Sequence, residues 1–88
     1  MGWTIEIADT ALADIKKLPK PDRDRVTKFI FLRLQGHPDP RRLAESLFGS
    51  FAGFARFRVG DFRLVCQIFE GRLLVVVVRV KHRREVYR

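Results

Sequence analysis

Cysteine is almost missing from this chain of 88 residues: Cys66 stands alone. One cysteine excludes an internal disulfide and any CxxC metal knuckle, so the fold must rest on a hydrophobic core. The two histidines, His37 and His82, are far apart in sequence and lack ligand-spaced neighbours. Long apolar runs are missing too. The longest, Leu73 to Val78, is far short of the roughly 20 residues of a membrane-spanning helix. The opening MGWTIEIADT has no charged segment followed by an apolar one, unlike a secretory leader. These gaps set the expectation of a cytoplasmic protein without a membrane partner. Acidic side chains are scarce in one half. Residues 51–88 hold three of them against nine basic ones, so +6 of the net +8 sits there. Asp61 and Glu85 stand isolated, and no acidic pair is spaced to hold a metal. Ser46 and Ser50 lie in no Ser-His-Asp motif. The expectation is therefore no cofactor and no metal site.

What is present suits one globular domain spanning 1–88. The apolar share is 47%, carried by Val, Leu, Ile and Phe. Thirteen of the eighteen cations are arginine. Guanidinium is the better group for bidentate phosphate contacts and for stacking on bases. The charge asymmetry points to a polyanionic partner, nucleic acid or an acidic protein.

Trp3, Ile5 and Ile7 alternate with Thr4 and Glu6, which predicts a half-buried strand. Asp9 or Thr10 can cap the next helix. Ala11, Leu12, Ile15 and Leu18 recur at helical spacing up to PKP at 19–21. Pro21 suits the first turn of a second helix. Val26, Phe29, Ile30 and Arg33 mark its stripe, with Leu34 close by, and Gly36 and Pro38 supply the stop. LAESLFGSF, residues 43–51, is ambiguous. Phe54–Val59, Phe62–Phe69 and Arg72–Val80 read as strands separated by the hairpin dipeptides GD and EG. The order is β-α-α-β-β-β: an α+β fold with an antiparallel-rich sheet on a helical hairpin.

A two-residue turn at Gly60-Asp61 sets Val59 opposite Phe62, Arg58 opposite Arg63 and Phe57 opposite Leu64. One face then collects Ala55, Phe57, Val59, Phe62, Leu64, Cys66 and Ile68 as core. The other collects Arg56, Arg58, Arg63 and Gln67, with Phe54 and Val65. Like charges directly opposite destabilise a sheet, so the arrangement fits an anion seated there. The third strand, apolar on both faces, is expected to be central. It runs into KHRREVYR, whose Lys81, His82, Arg83, Arg84, Tyr87 and Arg88 can converge on the hairpin arginines. Cationic clamps with a stacking aromatic describe an RNA site, with Arg58, Lys81, His82, Arg84 and Arg88 as binding residues. RNA cleavage needs a proton taken from the 2′-hydroxyl, charge stabilised at phosphorus and a proton given to the 5′-oxygen. Arginines supply the second need without a metal. His82 or Tyr87 could move protons.

The stretch FRVGDFRLVCQIFEGRLLVVVVRVKHRREVYR resembles the C-terminal half of RelE-type toxins of the RelE/ParE toxin–antitoxin superfamily. The RVGDFR turn and the closing HRREVY carry the likeness, and the ALADIKKLP helix and the element order fit it. The resemblance implies a ribosome-dependent endoribonuclease that cuts mRNA in the A site by metal-independent 2′-hydroxyl attack. It also implies an acidic, helical RelB-like antitoxin. By position, Arg63 would stabilise the phosphate, Arg83 would be the second catalytic arginine, Tyr87 would orient and stack on a base, and Arg56 would fall at a proton-transfer position. Departures are visible. Phe54 and Arg56 stand where family members can carry lysines, and arginine is a poor base. A length difference leaves Arg83 and Arg84 as alternatives for one role. The fold also hosts ParE-like gyrase inhibitors, which generally lack the Arg63, Arg83 and Tyr87 set, and a non-catalytic basic module for RNA or antitoxin binding is a third reading.

Overall fold

The computed structural model describes residues 2–49 and 53–86. Tyr87 and Arg88 lie outside them. Strand β1 (Thr4–Ile7) leads into helix α1 (Asp9–Lys16), and α2 (Lys20–Lys28) follows after three residues. Then come β2 (Ser46–Phe48), β3 (Phe54–Val59), β4 (Phe62–Phe69), β5 (Leu74–His82) and the short α3 (Arg83–Val86). The five strands run β1-β5-β4-β3-β2, antiparallel except for the parallel β1–β5 pair. The apolar β5, expected to be central, lies inside the sheet between β1 and β4 over Leu74–Val77, while its second half is an edge among the described residues; the ambiguous 43–51 stretch contributes the edge strand β2 at the other side.

The core lies between the sheet and the helices. Ala55, Phe57, Val59, Leu64, Cys66, Ile68, Val75, Val77 and Val80 face Ala11, Ile15, Val26, Phe29, Ile30 and Leu34. Burial pushes the Cys66 thiol well above its ordinary pKa, so it is an inert core group. Three expectations about the helices need correction. Ala8 is the N-cap of α1, with no side-chain cap; Thr10 instead donates to the Val78 carbonyl at 2.6 Å. Leu12 is exposed. The second helix continues as a π-turn over Phe29–Leu34, where the Gln35 N–H reaches back to the Ile30 carbonyl. The wider turn keeps Leu34 fully buried, while Arg33 stays in solvent.

The GD turn forms as read, with Gly60 at φ +59°, the left-handed conformation that a hairpin needs at its first turn position. The EG turn does not. Glu70–Arg72 form a 3-10 turn and Leu73 takes φ +48°, so β5 starts at Leu74 rather than Arg72. Strand β5 also carries a bulge: Val65 pairs with Arg79 but Cys66 with Val77. Val78 is the extra residue. Plain alternation from Val75 and Val77 would send Arg79 and Lys81 into the core. The bulge reverses the phase, burying Val80 and turning the two cations to the opposite face.

Beyond Ile7, the outer edge of β5 has no strand partner among the described residues. Side chains cover it instead. Thr10 bonds the Val78 carbonyl, Asp14 accepts the Val80 N–H at 2.9 Å, and Glu85 accepts the His82 N–H at 3.4 Å. Asp14 also pairs with Arg79 through 2.8 and 3.2 Å contacts. The Arg79 guanidinium, together with the Val80 amide, holds the Asp14 carboxyl below the usual carboxylate range against the opposing effect of burial. A carboxyl with a depressed folded-state pKa stabilises the fold above its unfolded pKa, and that contribution fades as pH falls through the folded value. Asp14→Asn should therefore cost about 1 kcal/mol at neutral pH, a modest figure because Arg79 is half in solvent. The cost should shrink as pH falls through the lowered folded-state pKa of Asp14. Urea unfolding of both proteins across an acidic pH series checks this; a cost that stays equal across the series would contradict it.

Candidate nucleic-acid interface

The sheet face turned away from the helices carries the basic side chains in cross-strand rows. One row runs Arg58, Arg63, Lys81 and the next Arg56, Val65, Arg79. Register and bulge together build this: the GD turn places Arg58 opposite Arg63, and Val78 shifts Lys81 into line. Arg83 joins the end of the first row, because its backbone N–H donates to the Asp61 carbonyl at 2.8 Å. Its guanidinium lies 3.9 Å from the Asp61 carboxylate, an exposed pairing. Arg84 is also exposed on α3, and its backbone N–H donates to His82 Nδ1 at 3.2 Å.

Arg63 is the buried member of the row, only 5% exposed. Its Nη1 donates to the Gly60 and Phe62 carbonyls, both at 3.0 Å, and its Nε donates to Glu45 at 3.1 Å. The guanidinium thus has a fixed position against the turn. The repulsion expected between Arg58 and Arg63 is offset inside the protein by the Glu45 carboxylate, which comes from the loop before β2. Sequence reading missed Glu45: eighteen positions separate it from Arg63, and only the pairing of β2 with β3 brings them together.

At the other end of the face Arg56 lies over the Phe48 ring, 5.1 Å from its centroid, and Phe48 stacks on Phe54 at 5.6 Å. This shelf of two rings and a guanidinium is a surface for base stacking. Phe48 was likewise not legible from the chain.

His82 departs from the expected convergence. It is the cross-strand partner of Phe62, on the helix side of the sheet end, and meets that ring edge-on at 5.6 Å. Lys81 lies within 4.0 Å of Asp14 and 3.7 Å of Glu85. Asp61 and Glu85, isolated in sequence, are thus partnered in space. Of the residues singled out, the structure groups Arg56, Arg58, Arg63, Lys81 and Arg83; it turns His82 away.

This fold has known counterparts. A sequence profile for the ParE toxin of type II toxin–antitoxin systems (parDE) matches residues 5–87. The chain is a RelE/ParE-superfamily toxin. The toxin is 34% identical to Toxin RelG of Mycobacterium tuberculosis over 88 residues, all of this chain and 99% of the relative. It is 30% identical to Toxin RelE of the same organism over 86 residues, 98% of this chain and 87% of the relative. Among solved structures it superposes on a chain of the RelBE2 toxin–antitoxin complex of M. tuberculosis with a TM-score of 0.77 and 32% identity, covering 93% of this chain and 92% of that one. These likenesses make it a type II toxin of the RelE family.

Proposed function

We propose that the toxin is a ribosome-dependent mRNA endoribonuclease that cuts in the A site, and that an acidic, helical RelB-like antitoxin silences it in the cytoplasm. The observation that carries this reading is the row Arg58, Arg63, Lys81 with Arg83 beside it and the Glu45 carboxylate against Arg63. The relatives named RelG and RelE, and a structural counterpart crystallised with its antitoxin, support the assignment.

The chemistry follows from the groups. The 2′-hydroxyl gives up its proton, its oxygen bonds to phosphorus, the bond to the 5′-oxygen breaks, and that oxygen takes a proton. A 2′,3′-cyclic phosphate remains. Arg63, held rigid by two carbonyls, and Arg83 meet the charge on the phosphate; fixed donors are worth more than mobile ones there. Arginine cannot take the first proton, so Arg56 is recast as part of the stacking shelf. Glu45 is a carboxylate beside the phosphate-binding guanidinium, and it is the proton acceptor in our reading. Arg58, Lys81 and Arg84 hold the backbone; the resemblance gives Tyr87 the part of a base-stacking ring and Arg88 that of a further phosphate contact. His82 serves the sheet end rather than the RNA.

Incubation with programmed ribosomes tests the proposal. Cuts within the A-site codon, with 2′,3′-cyclic ends, are the expected products. Intact mRNA from folded toxin would overturn the proposal. The match to the ParE profile makes gyrase supercoiling the assay that then decides for the gyrase reading.

A further inference from the structure

Beside the basic face lies a groove of about 390 Å³ between the end of the second helix and the GD turn. Arg25, Lys28, Arg33 and Arg58 line it with charge, and Phe29 and the exposed Leu32 supply apolar lining. None of the described residues lining it is acidic. Arg33 lies over the Phe29 ring at 5.7 Å, and Leu32 is 74% exposed. Arg25 packs across the turn so closely that a Cβ on Gly60 would come within 2.7 Å of its Nη1. The groove is thus a cationic cleft with apolar lining, and Arg25 packs over Gly60 at its edge. Arg58 belongs both to it and to the row with Arg63 and Lys81.

We propose that this groove is a second RNA subsite, which holds the backbone and one base of the strand as it leaves the sheet face over the Gly60 turn. The inference rests on the RNA reading above. Four cations without a carboxylate match phosphates, and the exposed leucine and the guanidinium-covered ring give a base a flat apolar seat. Continuity through Arg58 favours RNA over an acidic protein: a strand lying on the row has its next phosphates at this rim.

The test compares two uncleavable 2′-O-methyl RNAs, of three and eight nucleotides, by fluorescence anisotropy with full-length toxin. The wild type should bind the longer RNA at least about tenfold more tightly. Arg25→Ala/Lys28→Ala/Arg33→Ala should bring it down to the affinity of the shorter one, leave the shorter one unchanged, and lower the salt slope by about 0.7 for each phosphate no longer neutralised. Lys28→Glu, a single exposed change, should weaken the longer RNA alone and guards against misfolding of the triple variant. A wild type that gains nothing from length, or variants that weaken both RNAs alike, would overturn the subsite and leave the outer face standing. Binding of neither RNA also overturns it, while cleavage on ribosomes still judges the outer face separately. An acidic peptide that perturbs the Lys28 and Arg33 resonances when RNA does not would give the groove to a protein partner.

Discussion

Glutamine in place of Glu45 is expected to slow mRNA cleavage on ribosomes by about 10²–10⁴-fold, the span usual for loss of a general base. Glutamine keeps an oxygen that can accept from Arg63 Nε, so the 3.1 Å contact and the fold should survive. RNA binding should hold or tighten, because one negative charge leaves the basic face. Arg63→Ala should fail in another way. It removes the donor that meets the phosphate, at a cost of about 10²–10³-fold, and it strips the clamp from the Gly60 and Phe62 carbonyls. Its thermal stability should drop further than that of Glu45→Gln, which keeps the contact to Nε but gives up the charge that offsets the Arg58–Arg63 repulsion. Single-turnover cleavage beside a melting curve separates the two. A Glu45→Gln enzyme within about fivefold of wild type would show that the carboxylate only positions Arg63.

Phe57→Ala carries the largest expected effect on stability. The side chain is fully buried between the sheet and the helices and meets Phe29 with ring centroids 6.1 Å apart, so it joins β3 to the second helix. Truncating a buried Phe removes its transfer free energy and leaves a cavity, together about 3–5 kcal/mol. Small domains have about 5–15 kcal/mol in total. The variant should unfold at a much lower urea midpoint and lose activity through loss of fold. A loss under about 1 kcal/mol would mean that the core collapses around the gap, and would contradict a packed sheet–helix junction at this position.

Much of the fold is legible in the chain, for reasons that are local. A Gly-Asp pair between two alternating runs fixes both turn and register, so Arg58 opposite Arg63 and the buried face from Ala55 to Ile68 follow directly. Apolar residues on both faces place β5 inside the sheet, between β1 and β4, over its first half. What stays hidden depends on long-range contacts. The bulge at Val78 leaves no mark in a run of valines, yet it decides where Arg79 and Lys81 point. Leu73 gives no hint of its left-handed backbone, which arises because the turn before β5 is longer than EG suggests. The carboxylate on Arg63 cannot be found by spacing, since Glu45 reaches it only through the three residues of β2. His82 neighbours the arginines in the tail sequence, and one step of strand alternation puts it on the other side.

The most direct measurement repeats the ribosome assay with an mRNA whose A-site codon carries 2′-O-methyl groups. The unmodified message should be cut in that codon to a 2′,3′-cyclic end. The methylated message should stay intact, because no hydroxyl remains to attack the phosphate seated on Arg63 and Arg83. Cutting of the methylated message at the same position, or the same uncut message in both cases, would contradict 2′-hydroxyl attack on the basic sheet face.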